Sequence, residues 1–219
     1  MTTLTHDYAA VQLLGWHLLM RMEKIYRDQE RLSKKRVPSD PKRRIKMFAP
    51  AAYTTIDMIA ALEHADGYFA ALFKTSEAKL HLDEAALRRV SAGRKLTKRW
   101  KAVRNKLGGH VDFGMVRATC ERHGFVGTLV GDLEVDLPTY NALLIAEAIN
   151  SARSTADLFG YDLDARKAGF SATMLTIVTR LNEDWNDVMG AISDANACLL
   201  KGGRSEKLRA GGPIGLVHG

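Results

Sequence analysis

Leu96-Thr97-Lys98-Arg99-Trp100-Lys101-Ala102-Val103-Arg104-Asn105-Lys106-Leu107 carries four large apolar residues, Leu96, Trp100, Val103 and Leu107, at separations of four, three and four. At about 100° per residue they fall in one narrow stripe, the pattern of an α-helix packed along one side. Gly108-Gly109 follows at once, and glycine just past a helix end can take the left-handed backbone that closes it. Upstream, Asp83 is a suitable N-cap for the same helix.

The helical period extends outward in both directions. From about Thr5 to Leu32, Leu14, Leu18, Met22 and Ile25 recur three or four apart with no proline between them. Pro38 and Pro41 read as a basic linker, and Pro50 as the first residue of the next helix, with Ile56, Ile59, Ala60, Leu62 and Phe69 as its apolar positions. Downstream, Asp112 can cap a short helix running to His123, and two longer helices are expected over about 139–158 and 168–200. Gly131-Asp132 between Thr128-Leu129-Val130 and Leu133-Glu134-Val135 predicts a small β-hairpin near 126–136. The expected fold is an all-α helical bundle of about five to six helices, with residues 1–201 as a single domain and 202–219 as a flexible glycine-rich tail. Trp16, Trp100 and Trp185 all fall in amphipathic helices and read as core or dimer-interface residues rather than base-stacking platforms.

Composition narrows the class. Hydrophobic residues make up 46% and charged residues 26% of 219 residues, ordinary globular usage. The first residues lack a basic leader followed by an apolar block, and the uncharged apolar stretch 168–179 is too short to span a bilayer. No membrane association and a cytoplasmic location are therefore expected. Two cysteines, Cys120 and Cys198, cannot form a four-thiolate zinc site and do not suggest a disulfide framework.

The net charge of +7 is unevenly spread. Residues 31–46 hold eight bases and one acid, and residues 88–106 hold nine bases and no acid. Together the two segments carry +16, which leaves −9 on the rest of the chain. Concentrated positive segments on an acidic body favour a polyanion such as RNA. Arg94, Lys95, Lys98, Arg99, Lys101 and Lys106 are the expected nucleic-acid contacts.

The end of the decisive helix also carries the chemistry. In Arg104-Asn105-Lys106-Leu107-Gly108-Gly109-His110, an arginine followed by a polar residue precedes a histidine by six positions. With its helical context this segment resembles the HEPN superfamily, helical proteins of toxin–antitoxin, phage-defence and RNA-processing systems. The resemblance implies metal-independent RNA cleavage at a site shared by two subunits, with no cofactor, and a homodimer with RNA as substrate and an antitoxin protein as a further partner. In that picture the ribose 2′-OH attacks the adjacent phosphate. His110 acts as general acid or base, Arg104 stabilises charge on the phosphoryl oxygens, and Asn105 holds the histidine or the phosphate. Some members carry a tyrosine two residues after the histidine. Here that position is Asp112, so regulation through such a tyrosine is not implied.

On an unbroken helix Arg104 and His110 would lie about 240° apart. Gly108 and Gly109 allow His110 to turn back toward the helix end. Arg104 lies about 80° from Leu96, bordering the packed side, whereas Asn105 falls on the polar face. The alternative assignment is structural. Arg104 would pair with an acid at a helix–helix seam, Asn105 would face water and His110 would help cap the helix. The other acid–histidine neighbours, Glu63 with His64, Glu121 with His123 and His81 with Asp83, lack the repeated spacing of a di-iron bundle and read as surface or capping residues. No metal site is expected.

Overall fold

A computed structural model describes residues 5–36, 38–107 and 170–209, and between the last two segments residues 114, 116, 117, 120, 121, 144, 145 and 147–149. Helices account for nearly all of it, and no strand occurs among the described residues. The hairpin expected near 126–136 lies outside them. The architecture is an all-α bundle.

Among the described residues four long helices and one short one carry it, with further helical residues between 114 and 149. Helix α1 (His6–Ser33) is N-capped by Thr5, whose side chain accepts from the Tyr8 amide. Its inner face, Tyr8, Val11, Gly15, Leu18 and Met22, is buried at alternating separations of three and four, the seam of near-antiparallel packing. Leu13, Trp16 and Met20 lie on the opposite face and remain exposed. Trp100 and Trp185 are wholly buried, so two of the three tryptophans are core residues and Trp16 is not.

Helix α2 (Pro41–Lys74) begins at Pro41 with Asp40 as its N-cap, and the Arg43 amide donates to Asp40 Oδ1 at 2.7 Å. The expected start at Pro50 is thus displaced, and Pro50 sits inside the helix. The sequence offered two acceptable N1 prolines, and the one preceded by a capping aspartate starts the helix. The basic run at 41–46 is consequently helical rather than linker. From Thr55 to Leu72, α2 is buried over most of its circumference.

Helix α3 (Ser76–Leu80) is a single short turn leading to helix α4 (Glu84–Leu107). Asp83 caps α4 as expected, accepting from the Ala86 amide at 2.8 Å. That bond is the main reason its carboxyl lies below the usual range. Along the predicted stripe, Trp100 and Val103 are fully buried and Leu96 partly so. Helix α5 (Phe170–Arg209) buries Ile177, Leu181, Trp185, Val188, Ile192 and Leu199. Each such side chain contributes on the order of 1.5–3 kcal/mol relative to exposure.

Helix α2 packs against α1, α4 and α5, and α5 packs against α1, α2 and α4. So α2 and α5 form the central pair, flanked by α1 and α4. Buried Leu144, Ile145, Ala148 and Ile149 belong to the same core.

Helix α5 runs eight residues past the expected boundary at 201, through Gly202 and Gly203 to Arg209. A Cβ at Gly202 would lie 2.5 Å from His81 Cγ. The glycine there permits a close approach of α5 to the α3–α4 connection rather than marking a loose tail. Residues 210–219 lie outside the described residues.

Candidate functional site

The register between α2 and α4 sets the site. Three pairs span the seam: Glu63 with Arg104, Asp66 with Lys101, and Phe73 with Arg94. As α2 advances by three and then seven residues, α4 retreats by the same steps, the geometry of two antiparallel helices in contact. Arg104 Nε lies 2.6 Å from Glu63 Oε2. Lys101 Nζ lies 3.3 Å from Asp66 Oδ2. The Arg94 guanidinium sits 5.5 Å from the centre of the Phe73 ring, a cation–π contact.

Glu63 and His64 are neighbours on α2 that turn to opposite flanking helices. Glu63 reaches α4, while His64 Nδ1 lies 2.7 Å from an Arg21 terminal guanidine nitrogen on α1. Guanidinium can only donate, so Nδ1 must accept, and the imidazole proton resides on Nε2. Partial burial of this largely exposed ring, assisted by the positive charges of Arg21 and Arg104 and opposed by Glu63, holds His64 below the usual imidazole range. The ring is therefore neutral near pH 7, with Nε2–H as its remaining donor.

Of the three expected catalytic residues, Arg104 lies on this seam with its side chain 39% exposed. Asn105 is exposed to solvent, one residue and about 100° around the helix from Arg104. His110 lies outside the described residues, as do Gly108 and Gly109. The expected nucleic-acid contacts divide into two groups. Arg94 and Lys101 are engaged across the seam, and Arg99 lies close enough to Asp184 to favour its ionised form. Lys95 and Lys98 are exposed and have no acidic partner among the described residues. The Lys106 side chain is outside the described set. In the other basic segment, Arg31 pairs with Asp28 within α1, and Lys34, just past its end, pairs with Glu30.

A second buried polar knot lies at the α4–α5 contact. Asp184 is buried, accepts the Trp100 indole N–H at 2.8 Å and lies 3.4 Å from Arg180 Nε. Burial pushes its carboxyl above the usual range in spite of these partners and of Arg99. Its role is to tie Trp100 to α5.

Among the described residues no group of three or more His, Cys, Asp or Glu side chains is placed to hold a metal ion. No helix among them is long and apolar enough to cross a membrane. The chain matches no protein-family model, no curated protein and no solved structure.

Sequence reading alone did not connect Arg21, Glu63 and His64 with Arg104. Glu63-His64 was visible as an acid–histidine pair, but nothing local links it to residues on α1 and α4.

Proposed function

We propose that this chain is a metal-independent endoribonuclease of the HEPN type, acting as a homodimer, with Arg104 and His110 as its principal catalytic residues. The observation that supports it best is the setting of Arg104. It stands one turn from the end of α4, half exposed, with its guanidinium oriented by Glu63 rather than free in solvent. An oriented, partly desolvated guanidinium is suited to stabilising charge on phosphoryl oxygens. In the reaction, a base takes the 2′-OH proton, the O2′–P bond forms and the P–O5′ bond breaks. The leaving oxygen is protonated, giving a 2′,3′-cyclic phosphate and a 5′-OH. His110, three residues beyond Leu107, supplies proton transfer, and exposed Asn105 offers its amide to the strand or to the second subunit. A toxin or phage-defence role with an antitoxin partner belongs to the same proposal.

A second reading has its own support. Arg104 is already ion-paired with Glu63, as a purely structural seam would have it. Exposed Lys95 and Lys98 leave a positive outer face, so a non-catalytic helical module that binds RNA or protein partners through the basic segments 31–46 and 88–106 is the competing function.

The test is cleavage of a labelled structured RNA in EDTA by the wild type, His110→Ala and Arg104→Ala. Cleavage lost in both variants supports the nuclease. Salt-dependent binding without cleavage in any of the three supports the binding module. Equal cleavage in all three overturns the assignment of Arg104 and His110.

A further inference from the structure

Arg21 is the unusual member of the α1–α2–α4 cluster. Among the described residues no carboxylate lies within ion-pair distance of it, and its guanidinium donates instead to a neutral ring, His64 Nδ1, at 2.7 Å. Across α2, Arg104 is neutralised by Glu63. Among the described residues the cluster thus holds two guanidiniums, one carboxylate and one neutral imidazole, a net charge of about +1 at neutral pH. Arg21 and His64 are both exposed, so the uncompensated charge is open to a ligand.

Donors dominate the cluster. Arg21 retains N–H groups beyond the one spent on His64. The bond at Nδ1 fixes the imidazole tautomer and leaves Nε2–H as a second kind of donor. A cation orients a neutral imidazole as donor, and a second guanidinium is near enough to act on the same ring, so among the described residues the pair lacks only an anion. A phosphate group, with several acceptor oxygens and at least one negative charge, supplies both the charge and the acceptors.

We propose that Arg21 and His64, beside Arg104, form a phosphate-binding subsite at the exposed rim of the α1–α2–α4 seam. Its ligand class is a phosphate group, carried by a nucleic-acid strand or free. The choice of a strand phosphate rests on the ribonuclease reading, but the anion site does not. If the strand is the ligand, Arg21 and His64 hold a phosphate on the α1 side of α2 while Arg104 acts on the α4 side.

The probe is a fluorescein-labelled thymidine pentanucleotide, which has no 2′-OH and cannot be cleaved by 2′-OH attack. Binding is read by polarisation with the full chain, and the His64 imidazole is followed in parallel by nitrogen-15 NMR. Arg21→Ala and His64→Ala are expected to weaken binding by about tenfold or more, the effect of losing a hydrogen bond to a charged group. Lys79→Ala, which removes one exposed charge on α3, is expected to change it less than about twofold. In the wild type the pentanucleotide shifts the His64 Nε2 resonance, a readout that does not depend on any variant folding. The same shift from inorganic phosphate alone, at matched ionic strength, assigns the free anion as ligand. Equal losses for Arg21→Ala and Lys79→Ala, or an unmoved His64 resonance at saturating pentanucleotide, overturn the subsite. A chain that binds at His64 but never cleaves RNA retains the subsite and loses the ribonuclease. A chain that cleaves RNA with His64 unmoved does the reverse.

Discussion

Gly15→Ala tests the contact that brings α1 onto α5. A Cβ at Gly15 would lie 2.8 Å from Asn196 Cγ and 2.5 Å from its Nδ2, and nearer still to Oδ1. Asn196 is fully buried and its Oδ1 accepts from the Tyr68 hydroxyl at 3.2 Å. The amide has no open solvent to swing into, so the added methyl must displace it or separate the helices. Overpacking of this kind costs about 1–3 kcal/mol. Losing the Tyr68 bond while both groups stay buried adds roughly 1 kcal/mol or more. The helix-propensity gain of alanine over glycine returns about 1 kcal/mol. The net is a loss of roughly 2 kcal/mol.

The assay is urea unfolding followed by circular dichroism, with Gly67→Ala as the matched control. Gly67 also lies inside a helix, but a Cβ there would meet nothing within 4 Å. It should therefore gain about 0.5–1 kcal/mol. With a slope of about 2 kcal/mol per M, Gly15→Ala moves the midpoint down by about 1 M. Asn196→Ala in the same chain makes room for the methyl. The double variant should then be more stable than the two single losses together imply, by about 1 kcal/mol or more. A Gly15→Ala protein as stable as the wild type, with Gly67→Ala behaving as stated, would refute the close α1–α5 approach at this point.

Asp184→Asn and the Arg104 pair give two further expectations. Because burial raises the Asp184 carboxyl, the folded state binds its proton more tightly than the unfolded chain does. This group's contribution to stability therefore falls as pH rises from about 3.9 through the raised folded value, by at most about 1.4 kcal/mol per pH unit, and is constant above it. Asp184→Asn keeps an acceptor for Trp100 and removes the titration, so the wild-type minus variant stability, measured by urea unfolding, must decline across that window. A pH-independent difference counts against the buried, raised carboxyl. Arg104→Ala and Glu63→Gln each remove one partner of a half-exposed ion pair, a change worth at most about 1 kcal/mol. Both should stay folded, with Tm within about 4 °C of wild type by calorimetry. A larger drop would mean that the pair is structural and would void any loss of activity as evidence about catalysis.

What the sequence made legible was whatever lies within one helix. The Leu96–Trp100–Val103 stripe and the Asp83 cap can be read because their partners are local, or because any apolar neighbour will serve. Pro50 was misread for the same reason. Proline at a first helical position and proline inside a helix look alike until the capping residue is weighed. Asp40 before Pro41 was the stronger signal. Gly202 and Gly203 suggest looseness because composition alone cannot tell a flexible glycine from one, like Gly202, that lets His81 approach.

The candidate site was half legible for a deeper reason. Arg104 borders the packed side because of its angle on α4, which the sequence fixes to within a few tens of degrees. Which residue meets it is set by the α2–α4 register, and register depends on where α2 begins and how α3 turns the chain. A seam charge next to Glu63 rather than Asp66 is a matter of one helical turn, about 5.4 Å. The same register turns His64, about 100° further around α2, toward α1, where Arg21 can reach it. The Arg104–Glu63 pair and the Arg21–His64 contact are therefore two consequences of one packing arrangement. A catalytic Arg104 would have its orientation set by that packing, and of the two guanidiniums Arg21 on α1 is the one with no carboxylate partner among the described residues.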